Sequence, residues 1–351
     1  MYPARAGSFT RLRYNRPVPS KPNGSVRLSD VAAIAGVSIS TASKVLNGTD
    51  RISEATRARV LAVAERLDFR PNALARSFAL GRSRTIGVLT HRATSTFSGP
   101  VVIGAVVQLG KLQQAALVFD EDVLVHREIT ESIRQFQARQ IDGLLVIGDG
   151  HERRSPSITH HFTVPVTYAF AASDNPEDVV YLPDNEGAGV LATRHLLERG
   201  RSRIAHVTGD PSSIAVRLRE RGMLTALQEA GLRPAAPTRF GSWAEGSGVR
   251  AMRELLDSGA EIDAVFCGND HIARGVLEVC EAMGLRVPED VAIVGVDNWE
   301  GIIVDQGIRR LTTIDLELRA LGELAAANLL ADDRTPGENY VSPTLVPGPS
   351  S

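Results

Sequence analysis

Chemistry needs particular side chains at particular spacings, and this chain offers few such sets. Cys267, Asp270 and His271 bring a thiol, a carboxyl and an imidazole close together in sequence. They lack nucleophile–base spacing, and no phosphate-binding glycine loop or metal cluster accompanies them. His160-His161 is an adjacent pair in a polar loop with its rings expected to point apart, so a solvated loop is favoured over a metal site. A more informative set lies near the N-terminus. Ile39, Ser40, Ser43 and Lys44 share one face of a short helical pattern, a small polar surface of the kind that reads base edges. Phe97, Phe170, Trp243 and Trp299 fall near expected strand ends or loops. Aromatic faces suit sugar rings, yet each such residue is more often core than platform.

The polar face at 39–44 needs a scaffold, and the flanking residues supply one. Val31, Ala32 and Ala35 fall on one helical face, and Ala42, Val45 and Leu46 on another, with a hinge at Gly36. Ser38 is placed to cap the second helix and Asn47-Gly48 to stop it. Helix, tight turn, helix at this length is a DNA-reading unit or a plain packing unit. A third helix is expected from Ser53, its N-cap, to Leu67, with Val60, Leu61, Ala64 and Leu67 as its apolar face. Arg51, Arg57, Arg59 and Arg66 flank it, either as a solvated face or as contacts to phosphates. Pro71-Asn72 breaks that helix and opens a short helical segment ending near Leu80. That segment is too short to be stable alone and needs a partner, a second copy or a nucleic acid.

Charge sharpens the choice. Of 39 Lys+Arg and 41 Asp+Glu, 14 and 5 fall in residues 1–82, leaving 25 and 36 for the remainder. A basic head on an acidic body points to a polyanion partner for the head only. Residues 1–25, rich in Pro, Arg, Ser and Gly, read as a disordered basic arm with no run long enough for a signal peptide. No stretch approaches the ~18 consecutive apolar residues of a membrane span. A cytoplasmic protein with no membrane association is therefore expected. Two cysteines, Cys267 and Cys280, without metal-ligand spacing fit that compartment and read as small buried hydrophobes.

From Arg84 strands alternate with helices. Short apolar runs at Thr85–Thr90, Ala115–Phe119, Gly143–Ile147 and Val164–Phe170 precede a second series with strands at Arg203–Thr208, Ala264–Cys267 and Val291–Val296. Helices are expected at Val101–Leu112, Ile129–Arg139, Glu186–Arg199, Val216–Ala230, Ala244–Ser258, Asp270–Met283 and Leu316–Leu330. This alternation means parallel sheets covered on both faces, and two series mean two α/β lobes. Open parallel sheets bind ligands at the carboxyl ends of their strands, so a cleft is expected there.

Several motifs occur together and in order: Leu28-Ser29-Asp30-Val31-Ala32, Ala35-Gly36-Val37-Ser38 with Thr41, Ser43-Lys44-Val45-Leu46-Asn47, Arg70-Pro71-Asn72-Ala73-Leu74-Ala75-Arg76 and Val294-Gly295-Val296-Asp297-Asn298. On these the chain resembles transcriptional regulators of the LacI/GalR family, over roughly Val26 to Leu330. The resemblance implies an all-α helix-turn-helix domain at 26–70 and a hinge helix and linker at 71–83. Behind them it implies an α/β body, 84–351, of two doubly wound parallel-sheet lobes of the periplasmic binding protein-like type I. Lobe 1 is expected at about 84–181 and 313–331, lobe 2 at about 182–312 and 332–346.

The resemblance further implies a homodimeric repressor, not an enzyme, on a pseudo-palindromic operator, with no cofactor. Ile39, Ser40 and Lys44 take the base-reading positions; Ser38, Thr41, Ser43 and Asn47 offer short polar groups for backbone contacts or for local capping. In the hinge, Asn72, Ala75, Arg76 and Phe78 match the minor-groove segment, Phe78 standing where an apolar Leu wedge is usual, or packing on its own body or mate. A small-molecule effector, a sugar or sugar derivative, is expected between the lobes, at Arg217, Arg219, Asn269, Asp270, Asp297 and Trp299. Alternatives stand beside these: Asn269-Asp270 as a helix N-cap, Arg217 and Asp297 as an interlobe ion pair. The segment Phe97 to Phe119 lacks the family's aromatic-rich opening, and the ending Pro-Gly-Pro-Ser-Ser reads as a truncated or divergent last strand. A sugar-binding protein of the same fold without a DNA role is the rival reading, against which the basic helical head speaks.

Overall fold

The computed structural model describes residues 26–48, 52–70, 81–90, 93–120, 126–150, 154–300 and 309–351. They belong to two compact units, one ending at Gly81 and one running from Arg82 to Ser351. The N-terminal arm, Arg51 and the expected hinge helix, with Asn72, Ala75, Arg76 and Phe78, lie outside the described residues.

The first unit contains α1 (Leu28–Ala35), α2 (Ile39–Leu46) and α3 (Glu54–Arg66). Gly36 ends α1 at φ +66°, a left-handed conformation that costs glycine nothing. Val31, Ala32, Ala35, Ala42, Val45, Val60, Val63 and Ala64 form one small core. On α3 the expected face is corrected. Val63 is buried and Leu61 is 46% exposed, because residues three and four after Val60 return to its side whereas the next residue turns about 100° away. Ser53 holds the N-cap position of α3 without a side-chain cap; its hydroxyl donates to Thr56 Oγ1 at 2.9 Å.

The body carries two six-stranded sheets. The first has the order β11-β5-β4-β3-β1-β2, the second β12-β10-β9-β8-β6-β7. Their strands are β1 (Thr85–Thr90), β2 (Ala115–Asp120), β3 (Gly143–Ile147), β4 (Val166–Ala169), β5 (Val179–Pro183) and β11 (Gly337–Val341), then β6 (Ile204–Thr208), β7 (Arg239–Phe240), β8 (Ala264–Cys267), β9 (Ala292–Val296), β10 (Thr312–Asp315) and β12 (Thr344–Val346). All pairings are parallel except β10 with β12. Both lobes therefore share one doubly wound order, reversing between β1 and β3 in one and between β6 and β8 in the other. The helices are α4 (Ser98–Lys111), α5 (His126–Ala138), α6 (Asn185–Glu198), α7 (Ile214–Glu229), α8 (Glu245–Asp257), α9 (Asp270–Ala282) and α10 (Leu318–Leu329).

The expected lobe boundaries need correction at the C-terminal end. β10 belongs to the second sheet and β11, expected in lobe 2, pairs with β5 in the first. The chain thus crosses between lobes after β5, after β10 and after β11. The C-terminal Pro-Gly-Pro-Ser-Ser is also not a missing strand. Ser350 is buried, donating from Oγ to Ile293 O (2.6 Å) and accepting from Thr312 N–H (2.8 Å), so the tail seals the start of β9 and β10.

Central strands such as Ile86, Val88, Leu145 and Ile147 in β1 and β3 are wholly buried, each side chain contributing about 1.5–3 kcal/mol of burial. Cys267 and Cys280 are free and buried, as small hydrophobes are. The helix pairs approach closely through reciprocal glycines. Gly222 of α7 faces the Glu186 carbonyl of α6 while Gly189 of α6 faces the Arg219 carbonyl of α7, and α4/α10 and α8/α9 repeat the arrangement. Among the described residues no helix is long and apolar enough to cross a membrane.

Candidate DNA-reading face and ligand cleft

α2 owes its direction to its cap. Ser38 Oγ accepts from the Thr41 N–H at 3.0 Å and lies 2.8 Å from Thr41 Oγ1, while Asn47 Nδ2 donates to Ser43 Oγ at 3.3 Å. Local capping is seen at Ser38 with Thr41, while Ser43 and Asn47 bond to each other through their side chains, and Ser38, Ser40, Lys44 and Asn47 are exposed on the surface. Ile39 is 55% exposed at the start of the helix. This aliphatic side chain stands on the same helix as Ser40 and Lys44, both also exposed. It can meet a thymine methyl, as Ser40 can bond either way and Lys44 can reach guanine acceptors.

In the body, the carboxyl ends of both sheets converge on one cavity of about 130 Å³. Each wall comes from a turn that leaves a strand. After β3 come Asp149 and Gly150, after β4 Phe170, at the end of β5 Pro183 and just beyond it Asn185, and after β10 Leu316; Phe97 precedes α4. From the second lobe come Ser213 after β6, Trp243 after β7, Asn269 after β8 and Asp297 after β9, with Ala215 and Arg219 from α7. This is where strand order reverses in both lobes, the expected place for a ligand.

Arg219 is the pivot of the polar wall. Its side chain is 6% exposed; Nε donates to Asn185 Oδ1 at 2.9 Å, Nη1 donates to the Gly268 carbonyl, and Nη2 lies 3.7 Å from Asp297 Oδ1. Its guanidinium also lies 5.7 Å from the Trp243 ring centroid. Burial pushes the Asp297 carboxyl up to about 6, an effect Arg219 opposes and Asp315 reinforces. Asp297 sits at φ +99° and Asn298 at φ +51°, unfavourable for side chains with a Cβ and the kind of local strain that collects at functional sites. The interlobe alternative for Asp297 is corrected, since both members of the ion pair stand in the second lobe. Asn269 caps α9, accepting from Ile272 N–H at 2.8 Å, and donates to Trp243 O at 3.1 Å, so the capping residue also lines the cavity.

Three expected ligand residues stand elsewhere. Arg217 is exposed and donates to the Pro211 and Ser212 carbonyls of its own loop (3.0 and 2.5 Å). Two residues along a helix from Arg219, it points about 200° away. Asp270 is 1% exposed beneath the cavity floor, and Trp299 packs on His271 with ring centroids 4.4 Å apart. Of the four aromatics, Phe97, Phe170 and Trp243 line the cavity. Asn185, Ser213, Asp149 and Pro183 were not anticipated. Glycines mark the walls around the aromatics instead: a Cβ on Gly209 would lie 2.6 Å from the Trp243 ring, and one on Gly150, next to Asp149, would collide with Phe170. His160 and His161, expected to diverge, lie with ring centroids 3.9 Å apart and ring planes tilted by 42°, and no cluster of three metal-ligand residues exists among the described residues.

A helix-turn-helix unit and two doubly wound lobes meeting at a polar, aromatic cleft define a DNA-binding regulator answering to a small molecule. Comparison with known proteins agrees. Residues 27–72 match the model of bacterial regulatory proteins of the lacI family, and residues 193–351 match that of the periplasmic binding protein-like domain. The chain is 35% identical over 303 residues to the ribose operon repressor of Escherichia coli (strain K12), across 85% of this chain and 90% of that protein. Its structure resembles the Lac repressor dimer bound to operator and the anti-inducer ONPF, with a TM-score of 0.72 and 26% identity over 93% of this chain and 99% of that one. The complex of the transcriptional regulator CelR with cellobiose matches with a TM-score of 0.61 and 27% identity, over 93% and 100%. The chain belongs to the lacI family of bacterial regulatory proteins.

Proposed function

We propose that this regulator is a cytoplasmic repressor that binds a pseudo-palindromic operator as a homodimer, and that a sugar or sugar derivative held between its lobes sets operator affinity. The observation that carries the effector reading is the matched charge at Arg219. Its donors are already engaged by Asn185, Gly268 and Asp297. Among the described lining residues the other charges, Asp149 and Asp297, are carboxylates. Such a wall suits hydroxyl donors better than a phosphate, and Phe97, Phe170 and Trp243 give a sugar ring apolar faces. The relatives named for ribose and cellobiose support the same class.

For DNA, the reading assigns Ile39, Ser40 and Lys44 to base edges and Ser38, Thr41, Ser43 and Asn47 to the backbone. Asn72, Ala75, Arg76 and Phe78 stay with the hinge on the resemblance alone. For the dimer, α4 exposes Ile103, Val106 and Val107, and the sheet-edge strand β2 exposes Val118, an apolar face that a second copy would cover. A regulator rather than an enzyme is the reading consistent with relatives that are repressors.

The test is selection of bound DNA from a random pool, repeated with ribose, cellobiose and other sugars. Enrichment of an inverted repeat, released by one sugar, is expected. Enrichment of no common sequence, or binding indifferent to every small molecule from inducing cells, would refute the repressor or the effector half respectively.

A further inference from the structure

The turn after β9 presents Asp297 to the cavity, yet nothing in its own sequence holds it there. Asp297 and Asn298 both have left-handed backbone, φ +99° and φ +51°, so the turn must be fixed from outside. Strand β10 and its flanks supply part of the hold: Asp297 N–H donates to Ile314 O at 2.8 Å, Asn298 Nδ2 donates to Asp315 Oδ2 at 2.8 Å, and Arg309 Nη1 donates to Asn298 Oδ1 at 3.0 Å. Asp270 and Thr313 supply the rest. Trp299 N–H donates to Asp270 Oδ2 at 2.7 Å, Asn298 N–H donates to Thr313 Oγ1 at 3.2 Å, and Thr313 Oγ1 in turn donates to Asp270 Oδ1 at 2.7 Å. Both carboxyl oxygens of Asp270 are thus engaged, one directly on the turn and one through a threonine on β10. Gly295 of β9 leaves room for this, since a Cβ there would collide with the Asp270 carboxyl.

A carboxyl 1% exposed with both oxygens spent on one turn is a costly way to close a loop. Burial pushes this carboxyl up to about 8, with Thr313 and the Trp299 amide opposing and Asp297 and Glu300 reinforcing the shift. A capping role does not account for it, because Asn269 supplies the α9 cap.

We propose that Asp270 is a positioning residue for the effector: through Thr313 and the backbone of residues 298 and 299 it clamps the turn so that Asp297 stays paired with Arg219 and aimed into the cavity. The proposal rests on the reading of that cavity as the effector site. It also explains why Asp270 follows Asn269 at the head of α9: one residue holds Trp243, the next holds Asp297, and a single helix end sets two walls of the site.

The experiment uses the full-length chain and two readouts. Backbone amide exchange is followed in the ligand-free protein, and binding of D-ribose and, in parallel, cellobiose is measured by titration calorimetry. Asp270→Ala is expected to speed exchange at Asn298 and Trp299 while β8 and β9 stay protected. It should weaken sugar binding about 10- to 100-fold, the range forfeited when the Asp297 carboxylate is no longer held in place for a hydrogen bond to the ligand. Asp270→Asn, which keeps a carbonyl acceptor for Trp299, should fall between; with Thr313→Val it serves if the alanine variant does not fold. In an Asp297→Asn background, Asp270→Asn should cause no further loss of affinity. Unchanged exchange at 298–299 overturns the proposal, as does faster exchange with undiminished affinity. An equal loss in the Asp297→Asn background overturns it too, since it makes Asp270 a general structural residue. A wild-type chain that binds neither sugar counts against the sugar reading alone, and the exchange comparison then decides the clamp.

Discussion

Gly222→Ala asks whether the contact between α6 and α7 sets the ligand site. A Cβ at 222 would lie 2.8 Å from the Val190 nitrogen and closer still to the Glu186 carbonyl oxygen. Unstrained contacts need about 3.5–4.0 Å, so the two helices must part by about 1 Å. Overpacking of this kind costs about 1–3 kcal/mol, of which Ala's better helix propensity returns up to about 1 kcal/mol. At about 2–4 °C per kcal/mol for a domain of this scale, the body's unfolding midpoint should drop by several degrees. The functional effect should be larger. Arg219 stands one turn before Gly222 and reaches back across the same contact to Asn185, 2.9 Å away. A shift of about 1 Å takes that bond beyond hydrogen-bonding range. Losing a bond to a charged group is worth about 1.5–3 kcal/mol, so effector affinity should fall about 10- to 100-fold. Gly246→Ala on α8 is the control, because its Cβ would meet nothing within 4 Å. Scanning calorimetry and ligand titration on both variants decide the matter. If Gly222→Ala matches Gly246→Ala in midpoint and affinity, the glycine contact does not position Arg219.

Other expectations can be checked separately. Ser40→Ala should change base preference within the half-site more than the salt dependence, whereas Arg57→Ala, if it touches phosphate, should weaken binding to all sequences and lower the salt slope by ~0.9; footprints and salt titrations showing the reverse would exchange the two roles. Asp297 titrates near 6 in the folded protein. Effector affinity that depends on its carboxylate should therefore decline as pH falls through about 6, and calorimetry on Asp297→Asn should show that dependence gone. His206 is fully buried in β6 and stacked on Phe266 at 4.7 Å; burial pushes it down to about 4. The unfolded chain then binds a proton that the folded one refuses, so stability is lost as pH drops from about 6.5 toward 4, by roughly 3 kcal/mol once the imidazole is forced to charge. Denaturant unfolding of His206→Phe across that window should show a flatter acid limb.

The head was legible because it is short-range. A 3.6-residue period, a serine cap and a glycine stop each act within a few residues, and all three hold in α1 and α2. The second lobe's central strands were legible as continuous apolar runs for a similar reason. What failed was what depends on distant partners. β5 contains a terminal Pro183, β10 is half threonine, and β11 is a polar edge strand whose place is fixed by pairing with Val179–Pro183, not by its own pattern. The tail is read as strand-like or not only once Ile293 and Thr312 are seen to need it. Within the site, Arg217 and Arg219 match the same family segment, and helical geometry alone sends one inward and the other back to its loop. Asn269 and Asp270 divide similarly: adjacent polar residues, one in the wall and one under the floor.

The three crossovers show how such a site can act as a switch. Asp184 N–H donates to the Val341 carbonyl at 3.0 Å, and Thr344 Oγ1 donates to Glu317 Oε1 at 2.7 Å, so the strands passing between the lobes are tied to one another. Glu317 itself sits at φ +55°, its N–H held by Asp315 at 2.8 Å. Pro183, Asn185 and Leu316, which flank these crossings, also line the cavity. A ligand there touches both lobes and the segments that join them, so its binding energy can differ between lobe arrangements. That difference is the whole of what an effector can transmit. A coupling of ~1–3 kcal/mol, the usual range, changes operator affinity ~5–150-fold. A site inside one lobe could bind a sugar as tightly and transmit none of it, which is why the division of the lining between two sheets matters more here than the affinity of either half.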